Sequence, residues 1–183
     1  MKLRTFQLSD TDAVVDVYRD AIRRIGPTKY SPEEVAAWAR HPADVEEFGH
    51  RLARGYTLVA EEDSRIHAFG QVEPRNCFAF LYTTGTAKTK CLGAAIYDAM
   101  EAYAYADGVI DMYAEASRIS LLFCLHRGFT VYEVIHQNHF GVELEWYRMI
   151  KTREAALSPS SFKARLRAMR VHASSTDCSR SVA

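Results

Sequence analysis

The chain has 183 residues, of which 48% are hydrophobic, and its 23 Lys and Arg balance its 23 Asp and Glu. This size and composition predict one globular domain and argue against a disordered chain, a collagen-like fibre and a strongly basic nucleic-acid coat. No apolar run approaches the roughly 18 residues that a membrane helix needs, and the N-terminus lacks the apolar core of a signal peptide. We therefore expect no membrane span.

The cysteine and histidine spacing gives no sign of a metal centre. The four cysteines are Cys77, Cys91, Cys124 and Cys178, and no two of them form a C-x-x-C motif. This spacing predicts neither a zinc cluster nor a disulfide framework, so the expected compartment is cytoplasmic. His136 and His139 form His-x-x-His, but without a third ligand nearby we expect no metal and two histidines that face solvent or the cleft.

The charge is unevenly distributed along the chain. Residues 1–150 contain 16 Lys and Arg against 21 Asp and Glu, whereas residues 151–183 contain 7 against 2 and are rich in serine. We place a domain boundary near Lys151, with a folded domain over 1–150 and a basic C-terminal tail over 151–183. In the tail, Phe162, Leu166 and Met169 share one side of a predicted helix. This pattern indicates either a helix that touches acidic surfaces, membrane headgroups or nucleic acid, or a loosely ordered extension.

Helical patterns dominate the first third of the chain, after a short strand at Lys2–Phe6. Ser9 begins a Ser-x-x-Asp motif that predicts the N-cap of a helix ending before Gly26-Pro27. Ser31-Pro32-Glu33-Glu34 predicts a second helix, with an N-cap, a proline in the first turn and a capping-box glutamate. A third helix is expected over Asp44–Arg54.

The periodicity then changes to that of strands. Three are predicted, at Tyr56–Glu61, Ile66–Glu73 and Cys77–Thr83, joined by short polar connections. The remaining predicted elements are a helix from Gly93 to Ala106, a strand at Val109–Glu115, a short helix at Ile119–Arg127 and an antiparallel pair at Phe129–Ile135 and Val142–Ile150. This order predicts an α/β (α+β) fold, in which helices pack on a mixed sheet.

A polar loop joins the strand at Cys77–Thr83 to the helix that follows Gly93. It contains Gly85, Lys88 and Lys90. The N–H groups at a helix N-terminus carry partial positive charge, and the lysines strengthen it, so a phosphate or pyrophosphate fits there. The alternative is a solvated loop that caps the helix.

The order of several motifs resembles the GNAT N-acetyltransferase superfamily over roughly residues 1–150. The matching segments are Tyr30-Ser31-Pro32-Glu33 with Trp38, as in bacterial GNAT proteins that carry Tyr-Ser-Pro-Glu-x-x-x-x-Trp, then Leu58–Glu61, Leu81-Tyr82, Gly93–Glu101, Glu115-Ala116-Ser117 and Phe123–Phe129. The resemblance implies a mostly antiparallel central sheet of six to seven strands flanked by helices. It also implies acetyl-CoA as donor, direct transfer to an amine without a covalent enzyme intermediate, and no metal.

The resemblance further implies which residues hold acetyl-CoA. In such proteins the fourth strand presents its backbone to the pantetheine arm, and the loop after it cradles the pyrophosphate with N–H groups. The residues assigned in this way are Leu81, Tyr82, Thr83, Lys88, Thr89, Lys90, Cys91, Leu92, Gly93, Ala94, Ser117 and Phe123.

Three positions depart from the family pattern. Cys91 stands where the loop of the family has glycine, so its Cβ occupies space that glycine leaves open. Ala79 stands where the fourth strand often offers an acid as general base. Cys124 stands where a tyrosine often protonates the departing CoA thiolate. The loop also has Gly85 where the family usually has proline near its start.

Four side chains are candidates for the chemistry and for the acceptor. Glu73, at the end of the third strand, is the candidate base, and the alternative is an exposed strand-end glutamate. Cys124 is the candidate acid, because an ordinary thiol pKa of about 8.5 matches a thiolate leaving group, and the alternative is a buried core cysteine. Tyr30 and Trp38 are expected to form an aromatic wall of the acceptor cleft, unless Trp38 merely closes the core. Tyr132 is a second candidate acid, or a packing residue of the sheet.

We interpret the sequence as an acyl-CoA-dependent N-acyltransferase that acts on an amine of a small molecule or peptide, with a homodimer left open and no nucleic acid expected. The alternative is a catalytically weakened, GNAT-fold CoA-binding or regulatory protein, which the changes at Ala79, Cys91 and Cys124 support. A third reading, a nucleic-acid-associated protein that uses the basic tail, is opposed by the acidic main domain.

Overall fold

A seven-stranded sheet runs through the computed structural model, which describes residues 2–85 and 91–153. The strands are β1 (Lys2–Thr5), β2 (Tyr56–Glu62), β3 (Arg65–Val72), β4 (Cys77–Thr83), β5 (Asp111–Ser117), β6 (Thr130–His139) and β7 (Val142–Thr152). Their spatial order is β1-β2-β3-β4-β5-β7-β6, and each neighbouring pair is antiparallel except β4 and β5, which are parallel. The predicted mixed, mostly antiparallel sheet flanked by helices is confirmed.

Helices cover both faces of the sheet. They are α1 (Thr11–Ile25), α2 (Pro32–Trp38), α3 (Val45–Arg54), α4 (Leu92–Ala106) and α5 (Leu121–His126). Since side chains alternate along a strand, each strand contributes to two cores. One core includes Tyr18 and Phe69 and lies under α1, α2 and α3, whereas the other includes Ile96 and Met100 and lies under α4 and α5.

The start of α2 confirms the predicted capping box. The Ser31 Oγ accepts a hydrogen bond from the Glu34 N–H at 3.2 Å, and the Glu34 carboxylate accepts one from the Ser31 N–H at 2.7 Å. Pro32 occupies the first turn, where its missing N–H leaves no hydrogen bond unmade. These local signals fix where α2 begins.

The predicted cap of α1 is wrong. Ser9 lies inside a short 3-10 turn, and α1 begins at Thr11. The Asp10 carboxylate holds this turn, because it accepts hydrogen bonds from the Gln7 N–H at 2.8 Å and from the Arg4 guanidinium at 2.6 Å. An ion pair with Arg4 of the preceding strand β1 therefore holds the entry to α1, and the Ser-x-x-Asp motif alone does not reveal it.

Some of the predicted features lie at or beyond the end of the described residues. β7 extends to Thr152, two residues past the predicted boundary at residue 150. The assigned loop residues Lys88, Thr89 and Lys90, and the predicted tail helix, lie outside the described residues. Across the described ranges, no helix is long and apolar enough to cross a membrane, and no group of three or more His, Cys, Asp or Glu could hold a metal.

Cys91 and Cys124 are free cysteines; the first is exposed and the second is partly buried.

Candidate active site

A gap opens in the sheet between β4 and β5. The two parallel strands pair at two positions near their N-terminal ends. Ala79 follows as a β-bulge, because it stands between Phe78 and Phe80, which pair with consecutive residues of β3. A bulge bends the strand that contains it. The C-terminal half of β4 therefore diverges from β5.

The edge of β4 presents backbone polar groups to this gap. The Thr84 N–H donates to the His67 carbonyl at 2.8 Å. Because hydrogen-bonding direction alternates along an antiparallel pair, Tyr82 also bonds β3, whereas the N–H and C=O groups of Leu81 and Thr83 point away from β3. Two of the residues assigned to acetyl-CoA thus direct their backbone into the gap.

A cavity of about 180 Å³ occupies the gap and connects the two cores. From the α4–α5 side it is lined by Phe78, Tyr97, Ala114, Ala116, Phe123, Cys124 and Phe129, and from the α1–α2 side by Tyr18, Ile22, Trp38, Phe80, Tyr82 and Trp146. Residues of both faces of the sheet therefore line one space.

The loop that leaves β4 returns to the start of α4. Cys91 directly precedes α4 with a left-handed backbone, at a φ of 76°, and its side chain is exposed. Residues with a Cβ rarely adopt this conformation, whereas glycine does so freely, so the geometry is one that favours glycine. Leu92, Gly93 and Ala94 form the first turn of α4, whose N–H groups have no helical partner. A Cβ on Gly93 would lie 3.3 Å from the Thr83 Cγ2, so the helix start lies against the end of β4.

The turn after β5 forms the opposite wall. The Ser117 and Ser120 hydroxyls are 3.1 Å apart, and the Ser117 N–H donates to the Ser120 Oγ at 2.9 Å. The turn leads into α5, where Phe123 and Cys124 line the cavity. Burial raises the pKa of the Cys124 thiol to about 11, so the expectation of an ordinary thiol pKa does not hold. The thiol keeps its proton at neutral pH but is a weaker acid than an ordinary thiol.

Aromatic rings form the wall on the α1–α2 side, and we call Tyr18, Trp38, His41, Tyr82 and Trp146 the ring wall. The Tyr18 and Tyr82 centroids are 4.5 Å apart, and the Trp38 and Trp146 centroids are 5.3 Å apart. Burial raises the pKa of both tyrosines, so both phenols are protonated at neutral pH. The Trp146 Nε1 is buried without a hydrogen-bond partner among the described residues, whereas the Trp38 indole N–H faces the Tyr18 and Tyr82 hydroxyls.

His41 and Glu115 are the ionisable groups of this cavity besides the phenols and the thiol. Burial lowers the pKa of His41 to about 4, and the positive charges of Arg51 and Arg19 act in the same direction. The imidazole is therefore neutral at neutral pH. Glu115 is the carboxylate among the described lining residues, and it is paired with the Arg148 guanidinium at 3.0 Å.

Of the two residues predicted to form the acceptor wall, one lines the cavity and the other does not. Trp38 lines the cavity, but Tyr30 lies behind it, with ring centroids 5.3 Å apart. The Tyr30 hydroxyl accepts a hydrogen bond from the Arg118 N–H at 2.9 Å, and the Arg118 guanidinium pairs with Glu34 of α2 at 3.1 Å. Tyr30 thus ties α2 to the β5–α5 turn and does not line the cavity.

The candidate base also lies elsewhere. Glu73 follows the end of β3, and its N–H donates to the Cys77 carbonyl at 3.0 Å, so it sits at the start of β4. Its side chain begins against Gly55 and it does not line the cavity. His136 is exposed, whereas His139 is buried beside Trp146, with centroids 5.9 Å apart.

Sequence reasoning missed several residues of the site. Tyr18 lies on α1 and lines the cavity, and no motif of the sequence indicates this role. His41, Ser120 and Trp146 belong to no motif of the sequence, and Glu115 lies in a segment that resembles the family but received no role. Trp146 carried a weak signal, because it alternates with core residues along the last strand and tryptophan needs a partner for its N–H when buried.

Comparisons with known proteins agree with this architecture. No family model matches the chain, and no curated protein does. Among solved structures, a GCN5-related N-acetyltransferase from Rhodopseudomonas palustris matches with a TM-score of 0.79 and 24% identity, over 83% of this chain and 95% of that one. The PaiA N-acetyltransferase from Thermoplasma acidophilum, solved in complex with coenzyme A, matches with a TM-score of 0.65 and 19% identity, over 83% and 98%.

A third solved structure gives the same result. The ribosomal-protein-alanine N-acetyltransferase from Brucella melitensis matches with a TM-score of 0.63 and 20% identity, over 84% of this chain and the whole of that one. The chain therefore has the fold of the GNAT N-acetyltransferases, and the resemblance read from the sequence is confirmed at the level of the fold.

Proposed function

We propose that the protein is an acyl-CoA-dependent N-acyltransferase that moves an acetyl group from acetyl-CoA to an amine. The observation that carries the proposal is the gap between β4 and β5, with the backbone groups of Leu81 and Thr83 turned into it and the start of α4 at its mouth. A linear donor with amide groups fits such an edge, because its amides can pair with the strand as an added strand would.

The donor would lie along three parts of the chain. Leu81 and Thr83 would bind the pantetheine amides, and the N–H groups of Leu92, Gly93 and Ala94 would face the pyrophosphate. We also assign the pyrophosphate to Lys88, Thr89, Lys90 and Cys91, and the cavity-lining side of the thioester arm to Tyr82, Ser117 and Phe123. The fit is supported by the close approach of Gly93 to Thr83, which a larger residue would hinder.

The chemistry is a direct transfer. The amine nitrogen attacks the thioester carbonyl carbon, the carbon–sulfur bond breaks, the nitrogen loses one proton and the CoA sulfur gains one. The carbonyl oxygen becomes negative in the transition state, and the Thr83 N–H, which points into the gap, is the group we assign to stabilise it. The amide of Tyr82 is directed to β3 and is less suited to this role.

Two groups are candidates for proton transfer: Cys124 as the acid that serves the departing sulfur, and Glu73 as the base that serves the amine. Cys124 lines the cavity and holds its proton at neutral pH, so it can donate a hydrogen bond to the departing sulfur. Glu73 stays the candidate base to be tested, although it lies beside Gly55 and outside the cavity, so we assign it no contact with the amine. Glu73→Gln should lower turnover by a factor of about 10² to 10⁴ near neutral pH and less at high pH. A wild-type rate across the pH range would remove Glu73 from the mechanism.

The proposed function is tested by turnover. The full chain, acetyl-CoA and a panel of amines are mixed, and CoA thiol release and the mass of the acetylated amine are measured together. Equal amounts of free thiol and acetylated amine support the transferase. Thiol release without acetylated amine would indicate hydrolysis and would contradict it.

A regulatory, CoA-binding protein without turnover is the second candidate, and two observations favour it. Cys91 occupies a left-handed position suited to glycine, and Ala79 occupies the bulge of β4 without an acidic side chain. CoA binding together with no acetylated product across the panel would support this candidate.

A further inference from the structure

The ring wall contains both tryptophans of the chain. Trp38 is 3% exposed and Trp146 is 5% exposed, and the Trp146 Nε1 lacks a partner among the described residues. Tyr18, Tyr82 and His41 complete the wall, with Tyr18 and His41 centroids 5.4 Å apart. Flat aromatic surfaces favour a flat aromatic molecule.

The charges around the ring wall disfavour a cation. The Arg51 guanidinium lies over the Phe80 ring, 4.7 Å from its centroid, and one of its nitrogens is buried without a partner among the described residues. Phe80 lines the cavity whereas Arg51 does not, so a cation of the protein lies against this ring from outside the cavity. Arg19 lies nearby, where its guanidinium donates to the Pro42 carbonyl at 3.1 Å and its charge acts on His41.

Among the described residues that line the cavity, no unpaired carboxylate is available to an ammonium group. Glu115 is the carboxylate among the described residues lining the cavity, its side chain is 5% exposed, and it is paired with Arg148. His41 is neutral at neutral pH. An ammonium group that entered would lose its hydration and gain no carboxylate, and cation–π attraction would have to overcome the repulsion from Arg51.

From this geometry, and resting on the proposed function, we propose that the acceptor is an arylamine, a planar aromatic amine that is uncharged at neutral pH. Its ring packs on the ring wall and its nitrogen faces the thioester in the gap. The nitrogen attacks the thioester carbon, the carbon–sulfur bond breaks, and one proton leaves the nitrogen while the sulfur gains one. Because the arylamine arrives neutral, the site needs no strong base to prepare it.

Aniline and benzylamine form a matched pair of probes. Both carry one phenyl ring and one primary amine, but benzylamine is an ammonium ion at neutral pH. Binding to the full chain is followed by quenching of tryptophan fluorescence, which reports on the ring wall because Trp38 and Trp146 are the tryptophans of the chain. Transfer from acetyl-CoA is measured separately. We expect aniline to bind at least tenfold more tightly than benzylamine at pH 7, and to be acetylated.

Two variants test the physical reason. Arg51→Met removes the cation over Phe80 and keeps an apolar stem. It should therefore lower the ratio of the aniline affinity to the benzylamine affinity at least threefold. Arg54→Met, in the exposed last turn of the same helix, is the matched control and should leave the preference unchanged. Raising the pH should also narrow the preference, because benzylamine then becomes neutral.

The outcomes separate this inference from the proposed function. Benzylamine binding as tightly as aniline at pH 7, with acetyl-CoA still bound, would overturn the arylamine while leaving the transferase in place. Acetylation of benzylamine in preference to aniline would do the same. Failure to bind acetyl-CoA would overturn the proposed function, and the arylamine with it.

Discussion

Cys91 carries a backbone conformation that suits glycine. A left-handed φ costs an L-residue about 1 kcal/mol relative to glycine. Cys91→Gly should therefore raise the free energy of unfolding by about 1 kcal/mol and tighten CoA binding, as measured by urea denaturation and calorimetry. Cys91→Ala is the control, because it removes the thiol and keeps the Cβ. Equal effects of glycine and alanine would show that the backbone is not the cause.

Cys124 differs from an ordinary thiol because it is buried. A pKa of about 11 leaves a thiolate fraction at pH 8 that is about two orders of magnitude below that of a thiol with an ordinary pKa. Alkylation of Cys124 at pH 8 should be slower than that of a model peptide cysteine by at least this factor. The rates are read from the modified peptides by mass spectrometry. Labelling at the rate of the model peptide would contradict the burial of this thiol.

At the scale of elements, the Tyr30–Arg118 hydrogen bond and the Glu34–Arg118 ion pair join the α2 region to the β5–α5 turn. Tyr30→Phe removes the acceptor of the Arg118 N–H, and leaving such a donor unpaired costs about 1–3 kcal/mol. We expect that loss in the free energy of unfolding and a raised KM for the amine, because α2 carries Trp38. The affinity for CoA should be unchanged.

Tyr103→Phe is the matched control for this change. Its ring is stacked on Tyr56 and is 41% exposed, so the loss of its hydroxyl should change stability by less than about 0.5 kcal/mol. Equal losses in the two variants would mean that the Tyr30 hydroxyl does not hold α2.

The elements themselves were predictable where local chemistry decides them. Ser31, Pro32 and Glu34 act within one turn, so the sequence is sufficient to locate the start of α2. The entry to α1 was not predictable, because Asp10 is held by Arg4 of a neighbouring strand. The gap at Ala79 was not predictable from the residues alone either, since a bulge depends on how β4 pairs with β3.

The candidate site was predictable in part for the same reason. The cavity includes Tyr82, Ser117 and Phe123, which adjoin strand ends that the sequence pattern indicates. His41 was missed because its neutral state depends on burial against Tyr18 and Phe48, which come from other helices. The strand order of the sequence predicts that Glu73 lies near the site. In the structure its Cβ lies beside Gly55, outside the cavity.

At the scale of the whole molecule, buried histidines make stability depend on pH. The pKa of His41 is lowered from 6.5 to about 4, and burial also lowers the pKa of His139. Between pH 6.5 and pH 4, His41 binds a proton in the unfolded chain but not in the folded chain. The contribution of His41 to the free energy of unfolding is therefore fully present above about pH 6.5 and is lost as the pH falls towards 4. For His41 the loss is about 3 kcal/mol. Tyr18, Arg19, Arg51 and His139 surround this imidazole.

Urea denaturation at several pH values between 4 and 7.5 checks this expectation. His41→Asn should flatten the dependence, whatever its effect at pH 7.5. His136→Asn is the control, because that side chain is 55% exposed. A slope that is the same in the wild type and in His41→Asn would contradict the assignment to His41.

The central claim is that the gap between β4 and β5 binds acetyl-CoA, and calorimetric titration of the full chain tests it directly. Ala116 is buried and lines the gap, so Ala116→Leu fills it, whereas Ala68→Leu makes the same change in the same core outside the gap. We expect one acetyl-CoA per chain, stabilisation of about 2.7 kcal/mol at a hundredfold excess over Kd, and at least tenfold weaker binding for Ala116→Leu than for Ala68→Leu, with both variants shown to be folded. No binding heat and no shift in Tm at millimolar acetyl-CoA, or equal affinity in the two variants, would contradict the account.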